Sequence, residues 1–438
     1  MPAETPLRRP ASEFAAWLLV AVAVLSVIGD AVPAYPDWVT GVIGWIAAVL
    51  LWPRIKTAQQ LVVAALVVCG AAGIAWGMLS GHSGFIGWAL AQNIALIGLL
   101  IAVAFLQLIT TRGGGAGERL STGRYALLRT LIGVQLFGAV INYSAVVIFA
   151  ERISARTRLS LDQATGLTQA FIIGALWSPF YGSMAVAFTF APAARLTLLV
   201  SIGLPLALCG ILITWLTLSS QRHGHARDFA GYPLHLEALL VPGLLAVAVL
   251  VAHEIRPAWS VLAIITLAAP AVTALTLLAR DGNRMGAALL RLVRVRLPEM
   301  GGEVALFMAA GMLSAGMAGV IAALELRVPF DHFGAFEASV TVGAIVLAAW
   351  AGFHPVILCM VVGPWIATLG PDPTLLAMTI LMPWAIALPG CPMSNTVLSL
   401  HARYQIDMRD LLRRNRLFGL QMYVLSVIVI YLYVGLAG

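Results

Sequence analysis

Charge is what this chain has least of. Asp, Glu, Lys and Arg make up 10% of its 438 residues, against 61% hydrophobic ones, whereas a soluble domain carries roughly 25% charged side chains. A water-soluble globule is therefore excluded, and the composition implies an all-α protein that crosses a bilayer many times. Cysteine is also sparse. Cys69, Cys209, Cys359 and Cys391 all sit in apolar stretches without CxxC spacing, so neither a disulfide framework nor a zinc site is indicated. The chain contains no HExxH, GxSxG or GxxxxGK[ST] and no paired carboxylates on one helical face. It reads as no enzyme, with no catalytic residue, no bound metal and no cofactor beyond a coupling ion, sodium or proton. A membrane enzyme acting on lipids would need acids, His or Arg clustered at one membrane face, and the sequence offers none.

What the chain does have is apolar helix. Eleven spans near the ~20 residues a bilayer requires fall at about 14–33, 37–53, 59–80, 84–110, 160–192, 196–219, 235–254, 257–279, 302–325, 372–401 and 417–437. Two more apolar segments, 123–156 and 333–369, separate the fourth span from the fifth and the ninth from the tenth. Read as re-entrant hairpins, with the N-terminus in the cytoplasm, they place every Lys and Arg inside except Arg195, Arg256 and Arg327. That is a strong positive-inside bias. It gives a multi-pass protein of a bacterial-type inner (plasma) membrane with its C-terminus outside. The net charge of +7 then belongs to the loops and calls for no nucleic acid.

The same topology repeats with opposite orientation. Spans two to four, a hairpin and spans five and six are followed by spans seven to nine, a hairpin and spans ten and eleven. This is the inverted-repeat plan of secondary transporters, whose sites form where discontinuous helices meet at mid-membrane. Both expected discontinuities are visible. Span ten breaks at Pro389-Gly390-Cys391-Pro392-Met393-Ser394-Asn395-Thr396, and span five at Trp177-Ser178-Pro179-Phe180-Tyr181-Gly182-Ser183. Proline has no N–H and clashes with the preceding turn, and irregular backbone at that depth persists only inside protein or around a polar cavity. Freed carbonyls suit a cation, and half-helix N-termini suit an anion.

The loops add little chemistry. TRGGGAGERLSTGR (111–124) reads as a flexible linker, and Ser219 to His235, with His223, His225 and His235, as a solvated linker between the repeats. The stretch 284–298, RMGAALLRLVRVRLP, reads as a basic amphipathic helix on the inner leaflet. Met308 to Met317 suits close helix packing, while Glu303 and His253-Glu254 mark interfaces.

The order of hairpin, broken helix and final helix resembles the ion transporter superfamily, which includes the divalent-anion/sodium symporters, the large membrane subunit of TRAP transporters, and the arsenite and sodium/proton antiporters. Four patches carry the resemblance: Phe137 to Ala145 as the first hairpin tip, Ser178 to Ser183 as the first break, Ala351-Gly352-Phe353-His354-Pro355-Val356 as the second tip, and Pro389 to Thr396 followed by Ile406-Asp407-Met408 as the second break. Gly-x-His-Pro in the second tip is especially close to the TRAP subunit. Tyr143 in the first tip and Cys391 in the second break depart from the symporter pattern.

The resemblance implies an elevator. The N-terminal helices 1–122 and helices within 220–332 would form a scaffold that dimerises, and 123–219 with 333–438 a mobile transport domain. Substrate and ion would meet Asn142, Tyr143, Ser144, Ser178, Tyr181, Ser183, Gly352, His354, Cys391, Ser394, Asn395 and Thr396. The expected cargo is a small organic anion of the carboxylate class, coupled to sodium or protons. The alternatives are a membrane subunit of a multi-component, TRAP-like permease and an inorganic anion or metalloid exporter. No Asp or Glu lies centrally in either tip or either break, which disfavours the buried-carboxylate relay of the antiporters. His354, with an ordinary pKa near ~6.5, suits proton coupling or contact with an anion.

Overall fold

Apolar runs become helices because the bilayer interior offers backbone groups no partner, so each run must satisfy its own N–H and C=O groups. The structure, a computed structural model, describes residues 9–110, 121–155, 158–220, 229–231, 237–256, 259–326 and 329–437. His223, His225 and His235 lie outside the described residues. The helices are α1 (Arg9–Ala31), α2 (Asp37–Leu51), α3 (Thr57–Leu79), α4 (Phe85–Ala91), α5 (Ile94–Thr110), α6 (Arg124–Ile141), α7 (Ser144–Ser154), α8 (Leu161–Ile172), α9 (Gly182–Phe190) and α10 (Leu196–Ser219). The second half adds α11 (Glu237–Ile255), α12 (Val261–Asp281), α13 (Met285–Arg291), α14 (Leu297–Glu299), α15 (Gly301–Leu324), α16 (Ala335–Trp350), α17 (Pro355–Ala367), α18 (Pro373–Ala387), α19 (Asn395–Tyr404) and α20 (Met408–Ala437).

The molecule is an all-α polytopic membrane protein. Among the described residues, nine helices are long and apolar enough to cross a bilayer, against the eleven spans expected. Span two forms a helix of only 15 residues, span five is interrupted, and span seven counts only as a shorter apolar helix, Gly243–Ile255. Conversely, α6, expected as a hairpin leg, is itself long and apolar enough to cross, while α7 has 11 residues and is not.

The chain divides into two compact units. One comprises Met1–Ile109, Leu245–Pro329 and Met360–Trp365. Its α3 and α15 meet through glycines: a Cβ on Gly70 would lie 2.6 Å from the Met312 carbonyl oxygen, and one on Gly319 would lie 2.7 Å from that of Gly73. Such contact lets two backbones approach where any side chain would force them apart. Span four, expected as one continuous helix, also breaks. Asn93 takes φ +65° between α4 and α5, and its side-chain amide donates to the Phe307 carbonyl at 2.8 Å. The basic stretch before α15 is helical with a wide turn at Leu292–Arg296. Its Arg294 pairs with Glu13 at 2.6 Å and Arg296 with Glu299 at 2.8 Å, so these cations have protein partners and are not reserved for lipid.

The other unit comprises Thr110–Leu244, Phe330–Cys359 and Ile366–Gly438. The helix–turn–helix pair α6/α7, helix α16 and the first turn of α17 accompany the broken helices α8/α9 and α18/α19, with α10 and α20, while Met360–Trp365 of α17 belong to the first unit. The edges of two loops expected to be free linkers are tied down. Ser121-Thr122 pairs antiparallel with Ala230-Gly231, and the Gln163 side chain donates to the Ala230 carbonyl at 2.9 Å. Gln163 also completes a capping box with Ser160 at the start of α8, which fixes where that helix begins.

Candidate functional site

The first break starts where α8 tightens into a 3₁₀ turn at Ile173–Leu176 and ends where α9 begins at Gly182. Pro179 interrupts the ladder, and three buried hydroxyls tie the break to backbone carbonyls, two of them in the broken helix itself. Ser178 donates to the Ala139 carbonyl in the last turn of α6 and accepts from the Phe180 N–H at 3.2 Å. Tyr181 donates to the Phe171 carbonyl at 2.6 Å, and Ser183 to that of Ala175 at 3.1 Å. The Phe171 ring stacks on Tyr181 with centroids 5.4 Å apart and meets Tyr143 edge-on at 6.3 Å. An aromatic column thus joins this break to the α6/α7 turn. In that turn Asn142 adopts φ +56°, and its side-chain oxygen accepts from the Tyr143 N–H at 3.0 Å. Asn142, Tyr143 and Ser144 are half-buried.

The second break is built the same way with different atoms. A 3₁₀ turn at Leu388–Gly390 precedes Cys391, and α19 resumes at Asn395. The Leu388 carbonyl accepts from the Cys391 N–H and the Cys391 carbonyl from the Ser394 N–H. The Pro389 carbonyl accepts from the Asn415 side chain at 3.0 Å, and the Gly390 carbonyl from Arg416 Nε at 3.1 Å. A second arm of Arg416, Nη2, donates to the Trp350 carbonyl at 2.7 Å. The Cys391 thiol donates to the Phe353 carbonyl at 3.5 Å.

The two breaks correspond residue by residue. One constant offset relates Ser178-Pro179 to Cys391-Pro392, the Tyr181 cap to the Ser394 cap, and the helix starts Gly182 and Asn395. In each, the residue before proline donates its side chain to a carbonyl of the neighbouring helix pair. Cys391, a departure in sequence, does the work of Ser178.

Around the α16/α17 turn, Gly352 adopts φ +121°, a region that side chains rarely enter. His354 Nδ1 accepts from the Val356 N–H at 3.3 Å, and its ring stands edge-on to Trp384 at 6.5 Å. Ser394 and Thr396 are buried, and Asn395 is exposed.

Five residues outside the candidate set, Gln169, Thr214, Arg414, Asn415 and Arg416, bind these pieces together. Gln169, on α8 ahead of the first break, donates to the Asn415 side-chain oxygen at 3.1 Å and accepts from the Thr214 hydroxyl of α10 at 3.0 Å. Asn415 and Thr214 are both 0% exposed. Arg414 pairs with Asp162 near the start of α8. Arg416, which charge counting assigned to the cytoplasmic basic segment, is half-buried and engaged. The usable signal is an amide inside an apolar run, as at Gln169, since polar groups at depth demand partners; Asn415 is hidden among Arg413, Arg414 and Arg416.

Beside Arg416 lies a cavity of about 700 Å³ lined by Leu161, Trp350, Asp410, Arg413, Arg414, Arg416, Leu417 and Leu420. Its volume falls in the range of small-molecule pockets, ~300–1,000 Å³. Three guanidinium groups face Asp410 in the lining and Asp162 on Arg414, so positive charge is in excess. No group of three His, Cys, Asp or Glu side chains converges among the described residues.

No family model matches the chain, and no curated protein is similar to it. Among solved structures it is similar to a YdaH transporter of Alcanivorax borkumensis, with 15% identity, 98% of each chain covered and a TM-score of 0.42. That likeness is too remote to carry a function across.

Proposed function

We propose that this protein is a secondary transporter that carries a small organic anion of the carboxylate class across the inner membrane. One observation carries the reading: Arg416 reaches the carbonyls of both Trp350 and Gly390 beside a cavity that also receives Arg413 and Arg414. A guanidinium has five N–H donors, and two are engaged here. The rest can present a fork to a carboxylate, the geometry in which Arg binds best. Leu161, Leu417 and Leu420 supply apolar walls for a carbon skeleton.

In this reading the α6/α7 and α16/α17 pairs are re-entrant hairpins, and the unit that holds α6/α7, α16 and both breaks moves as an elevator against the other unit. What supports an elevator is that α6 to α10, α16 and α18 to α20 cluster in one unit, while α1 to α5, α12 and α15 cluster in the other. His354 and Asn395 serve as further polar contacts for the cargo, with the N-terminus cytoplasmic and the protein a homodimer. The test is thermal stability of purified protein against a panel of mono- and dicarboxylates and inorganic oxyanions. A ligand that binds only the folded state raises Tm by mass action, so one carboxylate class should raise it in wild type and not in Arg416→Gln. No shift with any anion would remove the proposal.

A further inference from the structure

A broken helix at mid-membrane presents two demands. Its open carbonyls need donors, and the negative end of each half-helix needs positive charge. In discontinuous transporter helices, unwound carbonyls and helix C-termini are where sodium is held. Here the second break meets both demands from within the chain. Of the carbonyls from Leu388 to Cys391, those of Leu388 and Cys391 accept from backbone N–H groups of the break itself, that of Pro389 from Asn415, and that of Gly390 from Arg416.

The charge on Arg416 is placed for the second demand. Trp350 is the last residue of α16, and Gly390 closes the 3₁₀ turn that ends α18. Two helix C-termini therefore converge on one guanidinium, at 2.7 and 3.1 Å. At the first break the carbonyls of Phe171 and Ala175 are instead answered by neutral hydroxyls, those of Tyr181 and Ser183.

We infer that Arg416 is a resident cation that takes the place of sodium at the second break, making this half of the site sodium-independent. The inference rests on the transporter reading only in naming the site. A tethered cation differs from a bound one in its consequences. The positive charge that faces the anion is present whether or not sodium is, and it stays with the protein when cargo leaves. At this break, anion affinity then owes nothing to a bound sodium ion.

The experiment measures Tm of purified full-length protein in sodium, potassium and choline chloride at one ionic strength, without organic anions. Wild type is expected to melt at the same temperature in all three. Arg416→Ala is expected to melt several degrees lower in choline and to recover part of that loss in sodium or in low-millimolar guanidinium chloride, which refill the vacated carbonyls. If Arg416→Ala yields no folded protein, Arg416→Lys, which keeps the charge but lacks the fork, should melt below wild type and remain indifferent to sodium. A sodium-specific rise in wild type overturns the inference, and so does an Arg416→Ala protein as stable as wild type in every salt. Because no carboxylate is present, this result stands apart from whether any carboxylate is transported.

Discussion

The side-chain amide of Gln169 donates to the Asn415 oxygen at 3.1 Å, while Asn415 gives its own N–H to the Pro389 carbonyl. This pair links the helix that leads into the first break with the backbone of the second. Both breaks thereby share one buried polar network, completed by Thr214.

Removing one member strands the others in an apolar surrounding. An unsatisfied buried group costs about 1–3 kcal/mol, so Gln169→Leu and Asn415→Leu should each lower stability by that order. The double variant should cost less than the sum, with a coupling of at least ~0.5 kcal/mol. A chemical-denaturation cycle in detergent checks this, and strict additivity would show the two residues to be independent.

The matching of Ser178 with Cys391 gives a second prediction. Both side chains donate to a carbonyl of the adjacent helix pair, Ala139 and Phe353 respectively. Cys391→Ser keeps the donor and should preserve Tm, whereas Cys391→Ala and Ser178→Ala should each lose about 1 kcal/mol. A Cys391→Ser protein as unstable as Cys391→Ala would mean that the thiol contact is incidental.

A third prediction separates cargo contacts from scaffolding among the residues that the sequence singles out. Ser183 and Tyr181 have committed their hydroxyls to backbone carbonyls, so Ser183→Ala should lower Tm, with any change in uptake following the loss of folded protein. His354 and Asn395 are less enclosed, so His354→Ala and Asn395→Ala should leave Tm within about 1 °C and reduce uptake tenfold or more, about 1.4 kcal/mol in binding. Melting and transport measured on the same preparations decide it. Loss of uptake with Ser183→Ala at unchanged Tm would contradict the division.

In the other unit, the α3/α15 contact should reject any side chain. Gly70→Val places atoms where the Met312 carbonyl oxygen stands 2.6 Å from a bare Cβ, and overpacking of this kind costs about 1–3 kcal/mol. Size-exclusion profiles should show less monodisperse protein. Gly87→Ala, where nothing lies within 4 Å, is the control and should behave as wild type.

Much of this architecture is legible in the sequence because proline and hydropathy act locally. Pro179, Pro389 and Pro392 mark both breaks, and the runs between them have the length of helices. The break at Asn93 was not legible, because no proline announces it and a single left-handed Asn inside an apolar run has no distinct pattern. The site was half legible. Ser178 and Cys391 stand out beside their prolines, but the groups that answer Pro389 and Gly390 come from Asn415 and Arg416, more than twenty residues on. Arg416 sits among Arg413 and Arg414, where charge counting sees only a cytoplasmic cluster. Its direction depends on packing, which no local pattern encodes.

Central to the account is an anion held at Arg416. The most direct measurement is uptake of radiolabelled mono- and dicarboxylates into proteoliposomes holding wild-type protein or Arg416→Gln, with Tm confirming that each is folded. The account predicts saturable uptake of one carboxylate class by wild type and at least a tenfold loss in Arg416→Gln. Equal uptake by the two proteins, or none by wild type across the panel, would contradict it.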